Sequence, residues 1–289
     1  MSTLRQLTTT LASALEAIYP PAEAESIAGL VLEHLLELTP LQRRMQAQET
    51  VPETVQAQLP ALQARLLRHE PLQYVLGEAW FMDMMLEVTP ATLIPRPETE
   101  ELVQLIIQEQ TVQRTELAVL DVGTGSGCIP LALCRALQPT QVTALDISVE
   151  ALAVARRNAE RYGCEIDFQQ LDILTETPAA IAPHTLDILV SNPPYVLEKE
   201  RALMRPNVLA FEPATALFVP DHDPLLFYRH IAHLGVTLLR PGGRLYFEIN
   251  EQYAAETIGL LTGLGYAGVE AQPDLFGKAR MVRATWEAV

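Results

Sequence analysis

An apolar run, Leu186–Ser191, ends in the tetrapeptide Asn192-Pro193-Pro194-Tyr195. The side-chain carbonyl of Asn192 can accept a hydrogen bond from an NH2 group. The two prolines fix backbone angles and remove N–H donors that would compete, and Tyr195 adds a flat face for a planar group. The combination predicts a rigid clamp for planar substrates that carry an NH2 group, which include the amides of glutamine and asparagine, adenine and cytosine.

A second set of candidate residues forms a glycine-rich turn. The sequence Asp121-Val122-Gly123-Thr124-Gly125-Ser126-Gly127 follows a predicted strand and opens a predicted helix. Glycines let the backbone turn sharply and approach a ligand closely, and N–H groups at a helix N-terminus favour negative charge. The turn predicts a site for adenosylmethionine or a dinucleotide, with a plain connecting turn as the third interpretation. The candidate binding residues are Gly123, Thr124, Gly125, Ser126 and Gly127.

Two aspartates follow the next two predicted strands. Asp146 lies 23 residues after Gly123, where an acidic side chain can accept both hydroxyls of a ribose. Its alternative role is the N-cap of the next helix, although Ser148 suits that position. Asp172, beside Ile173, could receive an adenine amino group or could be an ordinary loop aspartate. Because open α/β sheets bind ligands at the carboxyl ends of their strands, we expect these residues and Asn192 to lie along one sheet edge.

Hydrophobic periodicity predicts the elements that position these residues. Apolar residues recur at spacings of three and four from residue 4 to about 70, which predicts a helical region. Trp80–Val88 predicts a hairpin turning near Met82-Asp83, and Pro97 with acidic neighbours predicts a helix start. From Leu117 onward, strand and helix patterns alternate. The sequence therefore predicts an α/β fold, a parallel sheet with helices on both faces, preceded by a small helical region.

Two local features give narrower predictions. Thr50 and Glu53 have the spacing of a capping box, which predicts a helix start at that point. Further along, a helix is predicted over residues 224–239, closed by Pro241-Gly242-Gly243 before a strand over residues 244–249.

The composition narrows the classes of partner. The 289 residues include 36 acidic and 20 basic side chains, for a formal net charge of -16, and no run of Lys or Arg. Such a surface repels phosphate backbones, although the charge could equally serve solubility alone. The three cysteines have no zinc-site spacing, so we expect no metal. With no long apolar stretch, we expect no membrane partner and a soluble, cytoplasmic protein.

Several motifs together resemble one family. The chain is similar to the HemK-type glutamine methyltransferases of peptide chain release factors, which are class I adenosylmethionine-dependent methyltransferases. The likeness runs from about residue 68 to the C-terminus, with departures at Val219-Pro220, Asp223-Pro224, Asn250 and Pro273. The motifs that carry it are Arg68-His69-Glu70-Pro71-Leu72-Gln73-Tyr74, Leu93-Ile94-Pro95-Arg96-Pro97-Glu98-Thr99-Glu100, the glycine-rich turn, Asn192-Pro193-Pro194-Tyr195, Glu212-Pro213, Phe227-Tyr228-Arg229, Glu248-Ile249 and Asp274-Leu275-Phe276-Gly277-Lys278-Ala279-Arg280.

The resemblance implies an organisation and a reaction. Residues 1–75 would form a helical domain that docks release factors, 76–95 a hairpin linker, and 96–289 a Rossmann-like methyltransferase domain. That domain would have a seven-stranded sheet whose last strand is antiparallel. The reaction would transfer a methyl group from adenosylmethionine to the amide nitrogen of glutamine in a Gly-Gly-Gln motif, without direct nucleic-acid binding.

The resemblance also implies roles for individual residues. Asn192 through its side-chain carbonyl and Pro194 through its backbone carbonyl would accept the two amide hydrogens, within a catalytic motif that includes Pro193 and Tyr195. No general base is obvious. The implied cofactor-binding residues are Gly123, Thr124, Gly125, Ser126, Gly127, Asp146, Asp172, Ile173 and Asn192.

Two other functions stay open at this point. An adenine-N6 methyltransferase acting on DNA or RNA would use the same clamp, but it needs a basic groove that the composition does not favour. A non-catalytic adenosylmethionine-binding partner protein would keep the glycine turn, but it would have little reason to keep the clamp.

Overall fold

The computed structural model describes residues 2–110 and 116–287. By its contacts the chain divides into two compact units. The first unit comprises Met1–Gly77 and Arg205–Phe211, and the second comprises Glu78–Met204 and Glu212–Val289.

Helices fill the described part of the chain up to residue 77, and strands and helices alternate after it. The α-helices are α1 (Leu4–Leu15), α2 (Pro21–Leu36), α3 (Pro40–Met45), α4 (Glu53–Gln56), α5 (Leu59–Leu66), α6 (Leu72–Leu76), α7 (Pro97–Glu109), α8 (Cys128–Leu137), α9 (Val149–Tyr162), α10 (Pro206–Phe211), α11 (Leu226–Leu238) and α12 (Ala254–Gly263). The strands are β1 (Glu78–Phe81), β2 (Met84–Glu87), β3 (Ala118–Val122), β4 (Gln141–Asp146), β5 (Asp167–Gln170), β6 (Leu186–Ser191), β7 (Val196–Leu197), β8 (Phe218–Val219), β9 (Leu239–Glu248), β10 (Tyr266–Pro273) and β11 (Ala279–Trp286).

The first unit is helical, as its periodicity predicts. A capping box between Thr3 and Gln6 starts α1, which buries Leu4 and other apolar residues at the predicted spacing. The predicted capping box at Thr50 and Glu53 is wrong. Helix α4 begins at Glu53 directly after Pro52, which holds φ at -55° and caps the helix without a side-chain bond. Thr50 lies too far upstream and instead forms an isolated bridge with Thr3.

The second unit is built on a seven-stranded sheet of order β10-β11-β9-β6-β3-β4-β5. All neighbours from β9 to β5 pair in parallel, and β11 pairs antiparallel with both β9 and β10. The predicted α/β fold and its antiparallel last strand are therefore confirmed. Helices α7 and α8 contribute to the apolar cluster on one face of the sheet, and α11 and α12 contribute to the cluster on the other.

The start of β9 differs from the prediction. Helix α11 ends at Leu238, and β9 begins at the next residue, five positions before the predicted start at Arg244. Leu239 pairs with Leu186, whereas Arg244 pairs with Ile188. The intervening Pro241-Gly242-Gly243 segment therefore bulges out of the parallel ladder, because proline lacks the N–H that a regular ladder requires.

The hairpin β1–β2 turns where the sequence predicts. Phe81 pairs with Met84, and Met82 in the turn has a φ of 52°. Asn158 of α9 accepts a 2.7 Å bond from the backbone N–H of Glu87 and donates a 2.9 Å bond to the carbonyl of Ser126. One buried amide thus ties the hairpin to the glycine-rich turn.

The described residues lack two kinds of feature. Over residues 2–110 and 116–287, no helix has both the length and the apolar character that crossing a membrane requires. The same residues contain no group of three or more His, Cys, Asp or Glu side chains placed to hold a metal ion.

Candidate active site

The ends of four parallel strands place the predicted site residues along one edge of the sheet. Strands β3, β4, β5 and β6 are neighbours, and Val122 pairs with both Leu145 and Ser191. A cavity of about 390 Å³ lies at this edge. The predicted residues that line it are Gly123, Gly125, Asp146, Asp172, Ile173, Asn192, Pro193 and Pro194.

The remaining predicted residues lie elsewhere. Thr124, Ser126 and Gly127 belong to the glycine-rich turn without lining the large cavity. Tyr195 instead borders a smaller cavity of about 50 Å³, together with Arg96 and Asn192. The predicted stacking role of Tyr195 stays a prediction.

The glycines of the turn serve two purposes. Gly123 and Gly125 have φ values of 78° and 55°, and a Cβ added at either would meet no atom within 4 Å. Since both line the cavity, side chains there would occupy space that a ligand could use. A Cβ on Gly127 would instead lie 3.2 Å from the Cβ of Ala155 in α9. Gly127 is therefore needed for helix packing, and the first two glycines leave room for a ligand.

Buried polar atoms without partners concentrate in this turn. Among the described residues, six buried side-chain atoms have no hydrogen-bond partner, and four of them belong to Asp121, Thr124 and Ser126. Burial raises the pKa of Asp121 to about 7, with the Asp146 carboxylate adding to the shift and the Thr124 hydroxyl opposing it. The Thr124 hydroxyl is close enough to favour the charged form of Asp121, but no donor reaches this carboxylate at hydrogen-bonding geometry. Its chain neighbours Val122 and Gly123 line the cavity, so a buried carboxylate at this place fits a ligand that carries positive charge.

Asp146 is held firmly by the backbone. Its carboxylate accepts a 2.8 Å bond from the N–H of Gly125 and a 2.9 Å bond from the N–H of Ser148. Burial raises its pKa, and these two backbone bonds oppose the shift. Ser148 caps α9 by accepting a bond from Ala151, as its position predicts. Each oxygen of Asp146 keeps a lone pair that a ribose hydroxyl could use.

Asp172 organises its own loop. One oxygen accepts a 2.9 Å bond from the N–H of Leu174, and the other accepts a 3.2 Å bond from the hydroxyl of Thr175. The residue also lines the cavity, so both of its predicted roles are compatible with its position.

Asn192 is the first member of a chain of hydrogen bonds. Its Nδ2 donates to Thr99 Oγ1 at 3.1 Å, and Thr99 Oγ1 donates to Glu248 Oε2 at 2.7 Å. The hydroxyl of Tyr195 donates to Glu248 Oε1 at 3.0 Å. Among the described residues no donor reaches Oδ1 of Asn192, so this oxygen is available to a ligand. The residue that carries the predicted clamp is thus already oriented.

Glu248 is the carboxylate on which these hydrogen bonds converge. It is 1% exposed, and burial raises its pKa, opposed by the hydrogen bonds from Thr99 and Tyr195 and by the charge of Arg280. Burial, together with the charge of Glu248, raises the pKa of Tyr195 well above its usual value. Tyr195 therefore serves Glu248 as a neutral hydrogen-bond donor.

The sequence analysis missed three residues of this arrangement as individuals. Thr99 entered as part of a predicted helix start and of a family motif, and Glu212 and Glu248 entered only as parts of family motifs. Glu212 accepts bonds from Arg96 at 2.6 Å and from the N–H of Ile94 at 3.3 Å. The sequence does carry a signal for Glu248, which is an acidic residue within the apolar run Leu245–Ile249. Acidic residues are rarely buried unless they are paired, so its position there indicates a buried partner.

Known proteins resemble this chain over both of its units. Residues 6–77 match the PrmC N-terminal domain family, and residues 99–210 match the methyltransferase small domain family. A crystal structure of a methyltransferase from Pyrococcus furiosus has a TM-score of 0.52 at 19% identity, with 78% of this chain and 98% of that chain covered. This last likeness concerns the fold alone.

Two bacterial relatives are similar over almost their whole lengths. A release factor glutamine methyltransferase from Bacteroides thetaiotaomicron is 43% identical, with 97% of this chain and 99% of the relative covered. One from Flavobacterium psychrophilum is 37% identical, with 98% and 99% covered. With this identity over full length, the chain belongs to the release factor glutamine methyltransferase family.

Proposed function

We propose that this protein methylates the side-chain amide nitrogen of the glutamine in the Gly-Gly-Gln motif of a peptide chain release factor, with S-adenosylmethionine as the methyl donor. The observation that carries the proposal is the orientation of Asn192, whose Nδ2 is bound to Thr99. Asn192 lines the cavity, and its Oδ1, which no donor of the described residues reaches, is left as an acceptor for a substrate NH2 group.

The residues at the sheet edge fit the methyl donor. Gly123 and Gly125 leave open space, and Asp121 offers a buried carboxylate without donors to a positively charged group. Asp146 would accept hydrogen bonds from ribose hydroxyls, and Asp172 with Ile173 would contact the adenine. S-Adenosylmethionine supplies a methyl group activated by its attachment to a sulfonium. The protein's part is to hold the donor and to point the acceptor nitrogen at that methyl group.

The clamp addresses the weakness of an amide as a nucleophile, which is that the nitrogen lone pair is delocalised into the carbonyl. Oδ1 of Asn192 and the backbone carbonyl of Pro194 would accept the two amide hydrogens. This fixes the plane of the amide and favours a nitrogen that becomes more positive during transfer. The proton can leave to solvent after transfer, because the methylated, positively charged amide is acidic. Positioning and electrostatics thus account for the reaction without a general base.

The protein substrate would be recognised outside the cavity. We assign docking of the release factor to the helical residues 1–75 and methyl transfer to residues 96–289. The match of residues 6–77 to the PrmC N-terminal domain family supports the first assignment. The formal charge of -16 disfavours direct binding of DNA or RNA, which an adenine methyltransferase would require.

Methyl incorporation from labelled S-adenosylmethionine tests the proposal. The purified protein is offered a release factor, the same factor with its Gly-Gly-Gln glutamine replaced by alanine, DNA and RNA in separate reactions. We expect label only in the unmodified factor, located on the glutamine amide by peptide mass spectrometry. Label in DNA or RNA would favour the adenine methyltransferase, and no label in any substrate would favour a non-catalytic partner protein.

A further inference from the structure

The hydrogen bonds behind Asn192 run in one direction. An ionised carboxylate only accepts, so Glu248 accepts a hydrogen bond from the hydroxyl of Thr99 at 2.7 Å. Thr99 Oγ1 then has only lone pairs left, and it accepts from Nδ2 of Asn192 at 3.1 Å. With Glu248 as the terminal acceptor, the amide of Asn192 satisfies Thr99 only when its NH2 end faces the threonine.

Three neighbouring side chains favour Glu248 as an acceptor. The hydroxyls of Thr99 and Tyr195 both donate hydrogen bonds to it, and the positive charge of Arg280 favours its ionised form. The nearby carboxylate of Glu98 acts in the opposite sense, and burial favours the neutral form. A protonated Glu248 could donate to Thr99, and the direction of the chain would then reverse.

Packing alone gives no reason for these residue types. Thr99 is 3% exposed and Glu248 is 1% exposed, so an apolar pair of similar volume would fill the same space. Burying a carboxylate costs free energy that two hydroxyl donors only partly offset. Thr99 and Glu248 are buried in spite of this cost, and they are hydrogen-bonded to Asn192, the residue that carries the clamp.

We propose that Thr99 and Glu248 are positioning residues that fix the amide of Asn192 with its oxygen toward the methyl-accepting nitrogen. The inference rests on the proposed function and deepens it. A flipped Asn192 would present its own NH2 to the substrate NH2, and two donors cannot form a hydrogen bond. The pair therefore selects substrates that offer an amide NH2 over those that offer only acceptors, such as the carboxylate of glutamate.

Replacement of Thr99 tests the inference with packing nearly unchanged. Thr99→Val removes the hydroxyl and frees the amide of Asn192 to flip, and Thr99→Ser keeps the hydroxyl. Thr257→Val is the matched control, because Thr257 is equally buried and donates its hydroxyl only to the backbone of Tyr253 at 2.8 Å. We expect Thr99→Val to lower kcat on release factor roughly 10–100-fold, less than the effect of deleting a direct contact. Thr99→Ser should recover most of the rate.

Three further measurements separate positioning from loss of structure. The dissociation constant of S-adenosylmethionine should match between Thr99→Val and Thr257→Val, and both variants should unfold in one cooperative transition above the assay temperature. Thr99→Val should unfold at the lower temperature of the two, because it removes one donor from the buried carboxylate of Glu248. KM for the release factor should change less than kcat, because docking lies elsewhere. In an Asn192→Ala background, Thr99→Val should change kcat by less than about twofold, because its route of action is already removed.

The outcomes distinguish this inference from the proposed function. If Asn192→Ala is impaired and Thr99→Val transfers methyl groups at the parent rate, the positioning role is wrong and the proposed function stands. An additive effect of Thr99→Val in the Asn192→Ala background overturns the positioning role as well. A parent protein that labels no Gly-Gly-Gln substrate overturns the proposed function, and this inference falls with it.

Discussion

Arg96 and Glu212 form an ion pair with 2.6 Å between Nη2 and Oε1, joining the residue before α7 to the loop that follows α10. The side chain of Glu212 is 1% exposed, and that of Arg96 is 33% exposed. Glu212 also accepts a bond from the backbone of Ile94. Because Arg96 borders the small cavity with Asn192, the pair fixes one wall of the candidate site.

Arg96→Met should destabilise the protein by about 2–4 kcal/mol, because it leaves a buried carboxylate without its cation. The partial exposure of Arg96 keeps the loss below that of a fully buried pair. Urea denaturation measures the free energy of unfolding of the parent and the variant. Lys278→Met is the control, since Lys278 forms an exposed pair with Glu251 at 3.1 Å and its loss should cost under about 1 kcal/mol. Equal losses in the two variants would contradict a structural role for the Arg96–Glu212 pair.

The residues at the sheet edge could be predicted because the sequence pattern indicates where strands end. Each of Gly123, Asp146 and Asn192 directly follows a short apolar run, and parallel strands bring such ends together. The hairpin turn at Met82 could be predicted from its flanking apolar residues. These inferences need only local pattern and the rules of parallel sheets.

The partners of Asn192 could not be predicted in the same way. Thr99 lies 93 residues before it in the chain, and Glu248 lies 149 residues after Thr99. No local pattern encodes such contacts, which arise only when α7 packs against β9. The predicted start of β9 was wrong for a related reason. Pro241-Gly242-Gly243 is typical of a turn between two elements, but pairing with β6 on both sides of this segment makes it a bulge within the strand.

Asp146→Ala should weaken S-adenosylmethionine binding by about 1–3 kcal/mol, since it removes a charged acceptor from the proposed ribose contacts. It also releases the N–H groups of Gly125 and Ser148, which the carboxylate now holds at 2.8 and 2.9 Å. Isothermal titration calorimetry measures the affinity. Asp167→Ala is a suitable control, because Asp167 is exposed and does not line the cavity. An unchanged dissociation constant for Asp146→Ala would remove this residue from the proposed donor site.

Asp121→Asn should change stability in a pH-dependent way. Burial raises the pKa of Asp121 from 3.8 to about 7, so between these values the folded state binds more protons than the unfolded state. The stability of the ligand-free parent therefore falls as pH rises through this window. Asparagine does not titrate in this range. Between pH 4 and pH 8, the free energy of unfolding of Asp121→Asn should therefore rise relative to that of the parent by up to about 4 kcal/mol.

Thermal unfolding of both proteins across this pH range checks the prediction. In the same series, the parent should bind S-adenosylmethionine more weakly as pH falls below about 7, because a protonated Asp121 no longer attracts positive charge. The affinity of Asp121→Asn should be lower than that of the parent at pH 8 and should vary less with pH. Parallel stability curves for the two proteins would show that Asp121 does not titrate in this window.

Asn192→Ala is the most direct test of the clamp. It removes the Oδ1 acceptor and should lower methyl transfer to release factor by roughly 10²–10³, the scale found when one preorganised polar contact to a transition state is deleted. Affinity for S-adenosylmethionine should change far less, because Asp146 and the glycine turn are untouched.

Asn192→Asp refines the test, because a carboxylate still accepts from a substrate NH2 but cannot donate to Thr99. Two acceptors would then face each other across the 3.1 Å that now separates Nδ2 from Thr99 Oγ1. We expect this variant to be impaired, though less than the alanine variant. Single-turnover kinetics with saturating S-adenosylmethionine measures the transfer step, and a parent-like rate for Asn192→Ala would refute the amide clamp.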